Sequence, residues 1–227
     1  MGKIDRRRLK KKKILIISTI IFFFVCIILL FSLYIAQKGF RDWVDSHILG
    51  KSLTEEDIQV ISLNTDKSNQ VHVYSKYIAI LNDKVVTLYN SYGEKIDEIK
   101  VDINSGVFDS FDKYFVIAEK EGNEVCLILD KTYLWSATVE GKILQVHVSK
   151  DGHVAVITED VTHKSVLTFY NSEGKKLFTS YFSSTRIIDA SISKDNQYIA
   201  VAELDTTGTV IQSYIKIIST EKAQNDR

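Results

Sequence analysis

The sequence predicts an all-β domain of repeated four-stranded antiparallel units, set behind a single N-terminal apolar helix. Three observations carry this expectation. Residues 87–96, TLYNSYGEKI, return at 168–177 as TFYNSEGKKL, identical at Thr, Tyr, Asn, Ser, Gly and Lys. From residue 58 onward, short apolar runs alternate with turn signals such as Asn82-Asp83-Lys84, Lys120-Glu121-Gly122-Asn123 and Lys150-Asp151-Gly152, with no helical period between them. Residues 14–36, ILIISTIIFFFVCIILLFSLYIA, carry no charge at all.

Residues 1–13 are read as a basic cytoplasmic tail. They hold Lys3, Arg6, Arg7, Arg8, Lys10, Lys11, Lys12 and Lys13 against one acid, Asp5. Residues 14–36 are read as a transmembrane helix: at about 1.5 Å per residue the run crosses a hydrocarbon core of roughly 30 Å, and a helix pairs every backbone polar group internally, as lipid requires. A cleaved signal peptide is the alternative, but its apolar region is shorter and ends in a small-x-small site, whereas a cut after Ala36 would place Tyr34 at the −3 position. Only Lys38 and Arg41 follow the span closely, so the basic excess on its N-terminal side orients the tail inward and the rest of the chain outward. The residues setting that topology are Arg6, Arg7, Arg8, Lys10, Lys11, Lys12 and Lys13. Tyr34, Phe40 and Trp43 are expected at the outer membrane interface.

Residues 37–57 form a juxtamembrane linker. Phe40, Trp43, Val44, His47 and Ile48 recur at i, i+3, i+4, i+7 and i+8, an amphipathic helical stripe that Gly50 would end. Ser52-Leu53-Thr54-Glu55 resembles a capping box.

Residues 58–227 carry the repeat. The runs YIAIL (77–81), YFVIA (114–118), HVAVI (153–157) and YIAVA (198–202) align, and with Ala79, Val116, Ala155 and Ala200 as equivalents the spacings are 37, 39 and 45. Tyr89-Asn90, Leu129-Asp130, Tyr170-Asn171 and Ile218-Ser219 close the following strand at spacings of 40, 41 and 48. The two copies of the decapeptide are thus two periods apart. A period of about 40–45 residues with four strands per unit is that of a β-propeller blade. Each unit parses as an inner strand, the aligned run, a strand ending in Tyr-Asn or its equivalent, and an outer strand such as KIDEIKV (95–101) or KLFTSYF (176–182). The shared phrase is a turn with its flanking strands, because Asn and Gly tolerate the positive φ of tight hairpins. The near-continuous apolarity of YFVIA and VCLIL suits a sheet covered on both faces; a two-sheet sandwich would alternate more cleanly and would leave the period unexplained. About four units are counted, the fourth ending at its third strand. IQVISL (58–63) could close a four-bladed ring as the missing strand; the preferred expectation is an incomplete, open arc.

The hairpins SKDG-H-VAVI and SKDNQ-YIAVA resemble those of WD40-like and related bacterial propellers. With the N-terminal span, the layout resembles membrane-anchored WD40-like propeller proteins of clostridial, Gram-positive type, a family whose function is not established. The Gly-His and Trp-Asp signatures of WD40 repeats are absent.

Chemistry is sparse. Cys26 and Cys126 fall in the apolar span and in a strand-like run, so no bridge joins them, and a domain outside the cytoplasm without disulfides fits a Gram-positive envelope. Beyond residue 13 the chain holds 21 basic and 28 acidic residues, a net of −7 that disfavours nucleic acid. No nucleophile elbow, phosphate loop or metal-ligand spacing occurs, so no catalytic residue, cofactor or metal ligand is assigned and no enzyme activity is expected. His147 and His153 flank one hairpin near Asp151, with His153 at the place of Tyr114 and Tyr198; packing is the expected role. Asp109, Asp112, Asp151, Asp195, Glu203 and Asp205 are read as turn or strand-end residues. Tyr133 and Trp135, and at a longer gap Phe178 and Phe182, lie on outer strands, where they would either anchor a partner or pack between blades; Tyr133 and Trp135 are the candidate interaction surface. The expected function is an extracytoplasmic protein-interaction or scaffold module anchored in the plasma membrane. The alternatives are a wall-glycan or peptide-binding sensory ectodomain and, behind it, an envelope hydrolase.

Overall fold

Two apolar patterns of different period divide the chain. The computed structural model describes residues 3–48, 60, 61, 63 and 69–225, and resolves into two units, residues 1–59 and 60–227.

In the first unit, α1 (Lys3–Ala36) contains a 21-residue stretch, Ile16–Ala36, of mean hydropathy 3.0 with none of it buried in protein. It is long and apolar enough to cross a membrane, as a single-pass anchor or as a signal sequence would be. Arg6, Arg7, Arg8 and Lys10 to Lys13 lie in α1, and their side chains fall outside what the structure describes. The stripe in the linker forms α2 (Lys38–His47). Phe40 stacks on Trp43 and Trp43 on His47, at centroid distances of 6.4 and 5.6 Å. The Tyr34 hydroxyl donates to Asp45 Oδ1 at 2.9 Å. Gly50 and the Ser52–Glu55 motif lie outside the described residues.

In the second unit the period-40 pattern becomes four antiparallel meanders. Sheet 1 is β1 (Gln70–Tyr74), β2 (Tyr77–Asn82), β3 (Val85–Tyr89) and β4 (Lys95–Lys100). Sheet 2 is β5 (Gly106–Phe111), β6 (Tyr114–Glu119), β7 (Glu124–Leu129) and β8 (Thr132–Thr138). Sheet 3 is β9 (Lys142–Val148), β10 (Val154–Glu159), β11 (Ser165–Tyr170) and β12 (Lys176–Phe182). Sheet 4 has three strands, β13 (Thr185–Ile192), β14 (Tyr198–Asp205) and β15 (Gln212–Ser219), followed by α3 (Thr220–Asn225). These are all-β units resembling propeller blades, arranged as an unclosed arc.

The repeated decapeptide has a plain physical cause. Asn90 Oδ1 accepts from the backbone N–H of Tyr92 and Glu94, each at 2.9 Å. Asn171 Oδ1 does the same for Glu173 and Lys175, at 3.1 and 2.8 Å. Gly93 and Gly174, at φ of 75° and 80°, take the left-handed position that a Cβ disfavours. One side chain thereby satisfies two donors that the turn would leave unpaired. The SKDG and SKDN turns work alike: the Ser149 hydroxyl accepts from His153 N–H at 3.1 Å, and the Ser193 hydroxyl from Tyr198 N–H at 3.0 Å.

Successive sheets pack face to face. Between sheets 1 and 2 lie Ala79, Leu81, Val86 and Leu88 against Phe115, Ile117, Cys126 and Ile128. Between sheets 2 and 3 lie Val116, Ala118, Val125 and Leu127 against Val146, Val148, Val154 and Val156. Between sheets 3 and 4 lie Ala155, Ile157, Leu167 and Phe169 against Ile187, Ile199, Val201 and Ile218. Alternate residues of each middle strand thus serve opposite interfaces, which is why these runs are apolar throughout. Each fully buried aliphatic side chain contributes about 1.5–3 kcal/mol. The first strands β1, β5, β9 and β13 are successive neighbours along the inner edge of the arc.

Several expectations are corrected. The polar C-terminal stretch forms α3, whose Ala223 packs on the last interface. Val60, Ile61 and Leu63 of IQVISL belong to no strand, and the rest of that run lies outside the described residues. Asp109 and Glu203 are not in turns: Asp109 lies within β5, and Glu203 is buried in β14, where Oε2 accepts from the Thr185 hydroxyl at 2.5 Å. Of the two roles offered for Phe178 and Phe182, packing between blades is the one seen: both are buried against sheet 4.

Candidate functional site

The inner strands carry a row of polar residues at one register position. Opposite the equivalent Ala79, Val116, Ala155 and Ala200 stand His72, Asp109, His147 and Ser191. Two residues along, opposite Leu81, Ile157 and Ala202, stand Gln70, Gln145 and Asp189. A two-residue period keeps each set on one face of its strand, so the fold brings both rows to the inner edge.

Most of these side chains bridge to the next sheet. Gln70 donates through Nε2 to Gly106 O at 3.1 Å and accepts from Gly106 N–H through Oε1 at 2.5 Å. His72 Nε2 lies 3.0 Å from the Ser110 hydroxyl. Asp109 Oδ2 accepts from Val148 N–H at 2.8 Å. Gln145 Nε2 donates to Ile188 O at 2.9 Å. Adjacent inner strands therefore communicate through side chains where no backbone ladder joins them.

At sheets 2, 3 and 4 the edge opens into a cleft of about 320 Å³, whose lining includes Asp109, His147, Lys150, Asp189, Ser191 and Lys194. The His147 imidazole stands between two carboxylates: Nδ1 is 3.9 Å from Asp109 Oδ2, and Nε2 is 3.5 Å from Asp189 Oδ1. His147 Nε2 is itself buried and has no hydrogen-bond partner within the protein. Lys150 and Lys194 bring two positive charges to the same opening. The cleft thus offers acceptors, a titratable ring and cations within one concavity, which suits a polar ligand bearing both signs of charge. Among the described residues no group of three or more His, Cys, Asp or Glu is placed to hold a metal ion.

Burial lowers the pKa of His72 below the usual histidine range, against the pull of the Asp109 carboxylate. His153 is lowered for the same reason, opposed by Asp151; its ring stacks on Phe169 at 5.7 Å. Burial also pushes the Cys126 thiol up to about 12, leaving it unreactive.

The residues proposed from sequence lie elsewhere. Trp135, on β8, packs against Tyr170 of the next sheet at 5.7 Å and donates Nε1–H to Ser172 O at 3.0 Å. Tyr133, two residues before it, is exposed. Neither reaches the cleft. The sequence reading missed Asp109 and Asp189 as neighbours of His147, and Lys194 in the same cleft. The available signal was the alignment itself: the residues opposite the equivalent Ala and Val positions are polar in all four units.

Side-by-side meanders with polar inner strands define a β-propeller-like protein. The chain belongs to DUF5711, a family of unknown function, which it matches over residues 52–227. No curated protein matches it. Among solved structures it is similar to Hsv2 of Kluyveromyces lactis, at 16% identity over 76% of this chain and 53% of that one, with a TM-score of 0.51. It is similar also to the hydrazine synthase of Kuenenia stuttgartiensis, at 18% identity over 64% and 48%, TM-score 0.50. A third similar chain is BBS1N, solved in complex with ARL6DN, at 14% identity over 72% and 55%, TM-score 0.50. The likeness is one of fold, and this chain spans about half the length of each.

Proposed function

We propose that the protein is a non-enzymatic binding module: a propeller-like domain, tethered by Ile16–Ala36 as a single-pass anchor and facing the outside of the plasma membrane, that captures a protein partner of the cell envelope at the inner-edge cleft. The observation that carries this reading is the convergence of Asp109, His147, Asp189, Lys150 and Lys194 from three successive sheets on one open concavity. A rigid β scaffold presenting charges of both signs suits recognition of a charged polypeptide segment, whose ion pairs set orientation and specificity more than raw affinity. The propeller-like fold supports an interaction role in general. The anchor is supported by its length and apolarity, and the outward orientation by the basic run before it.

Photo-cross-linking from a benzoylphenylalanine at Ser191 in membranes tests this reading. A single discrete protein adduct is expected, lost in an Asp109→Asn/Asp189→Asn variant that is still folded. No adduct, or one formed equally well from Glu98 on β4, would overturn it. Retention of wall fragments instead of a protein would transfer the site to glycan recognition.

A further inference from the structure

The turn accounts for only part of the repeated decapeptide. Of its identical positions, Asn171 and Gly174 shape the hairpin, whereas Thr168, Tyr170 and Lys176 contribute no side chain to it. These three line one groove of about 160 Å³ between sheets 2 and 3, on the side of the outer strands β8 and β12. Thr168 and Tyr170 lie on the face of β11 turned to sheet 2, and their partners on β12 are Thr179 and Lys176. In the preceding interface the same two positions, opposite Ile117 and Phe115, belong to Cys126 and Ile128, which are buried in an apolar cluster. Here, opposite Val156 and Val154, they carry hydroxyls.

Those hydroxyls are unspent. Thr168 is 7% and Tyr170 5% exposed, and among the described residues neither hydroxyl has a hydrogen-bond partner. Buried polar atoms are ordinarily paired, so these two are left for what enters the groove. The walls add groups of the same kind. Tyr181 is 58% exposed, and the His163 imidazole braces its ring at 4.7 Å. Asp160 and Glu140 bring carboxylates, and Asp160 Oδ1 is fixed by the N–H groups of Thr162 and His163 at 2.6 Å each. Hydroxyls both donate and accept, carboxylates accept, and the Lys176 ammonium donates. Two carboxylates against one ammonium disfavour an anion, and a space of this size holds a single ring rather than a folded segment. The set suits a neutral molecule with several hydroxyls of its own and an apolar face to lay on an aromatic ring.

We propose that this groove binds one ring of a saccharide. Tyr181 is the stacking platform, Thr168, Tyr170 and Thr179 exchange hydrogen bonds with the sugar hydroxyls, and Asp160 and Lys176 orient the ring. Tyr181, Glu140 and Lys176 are exposed at the rim, so a glycan chain can continue beyond the bound ring. The groove shares no lining residue with the inner-edge cleft, and it stands whether or not the cleft takes a protein partner.

The test uses the full chain in a detergent without sugar headgroups, with Trp43→Phe leaving Trp135 as the only tryptophan. Trp135 packs on Tyr170, so its emission reports the groove and not the cleft. Cellotetraose, maltotetraose, mannotetraose and tri-N-acetylchitotriose are titrated by calorimetry and fluorescence. At least one is expected to bind with a Kd of about 1 mM or tighter and to shift the Trp135 emission. Tyr181→Ala, altered at an exposed position, should weaken that binding about tenfold or more. Thr168→Val/Tyr170→Phe should do the same while keeping or raising the parent's urea midpoint, since neither hydroxyl is bonded within the protein. Binding of none of the four, binding that leaves Trp135 emission unchanged, or folded variants that bind like the parent would overturn the proposal.

Discussion

Phe115 ties sheet 1 to sheet 2, and its removal gives the most informative stability change. It is 1% exposed, and its ring stacks on Tyr74 at 4.5 Å, His72 at 5.1 Å and Phe108 at 5.9 Å. Tyr74 is fixed in turn by its hydroxyl, which donates to Asp130 O at 2.5 Å. The cluster therefore has little freedom to collapse into the space a truncation leaves, which places Phe115→Ala in the upper part of the usual large-to-small range, about 3–5 kcal/mol. The ring pairs, worth about 0.5–1.5 kcal/mol each beyond their area, are already within that figure. A domain holds about 5–15 kcal/mol in all, so the variant should remain folded but marginal. With a urea dependence near 2 kcal/mol per molar, the midpoint should fall by about 2 M, while Phe115→Leu should cost about 1 kcal/mol. Tryptophan fluorescence and circular dichroism should report the same transition. A Phe115→Ala variant within about 0.5 kcal/mol of the parent would refute the face-to-face packing of sheets 1 and 2.

Three further outcomes follow from the same geometry. His72 and His153 both titrate below the usual histidine value of about 6.5 because burial disfavours their charged forms; the unfolded chain therefore binds protons that the folded one refuses, and stability should fall as pH drops below about 7 toward the depressed folded values, then level off. His153→Tyr, which installs the residue found at Tyr114 and Tyr198, should flatten part of that slope in urea titrations at stepped pH. Gly174→Ala should cost about 1–2 kcal/mol from its φ of 80° alone, and more because the new Cβ would lie 2.8 Å from the Trp135 ring; a Trp135→Ala background should relieve the ring clash and leave the backbone part with a close Cβ–Cβ contact, a coupling that a double-mutant cycle measures. Trp135→Phe, which removes the hydrogen bond to Ser172 O, should lose about 1 kcal/mol in thermal or urea unfolding with no effect on partner capture at the cleft.

The strand order was legible because the interfaces repeat. Val116, Leu127, Ala155 and Phe169 must be apolar for the same reason, and Asn90 and Asn171 must be Asn for the same reason, so both recur at the period of the fold. The site was less legible. Asp109 reads as a turn residue by type, since aspartate is common in turns, and only the pairing of β5 with β6 reveals that it sits within a strand and faces the inner edge. Asp189 and His147 lie 42 residues apart, and nothing in their spacing declares that neighbouring inner strands bring them to 3.5 Å. Phe178 and Phe182 left two readings open, because an outer strand is exposed on average; a neighbouring sheet covers them, and α3 packs beside β12. A six-residue helix without an apolar stripe of its own leaves little periodic trace, which is why α3 escaped the pattern.

Hydrogen exchange of the full chain, resolved by strand, tests the stacked-sheet account most directly. Strands β6, β7, β10 and β11 are paired on both sides and buried on both faces, so their amides should exchange only through global unfolding, while the outer strands β4 and β8 should exchange faster through local opening. Protection of β4 and β8 equal to that of β6 and β7, or fast exchange in β10 and β11, would contradict it.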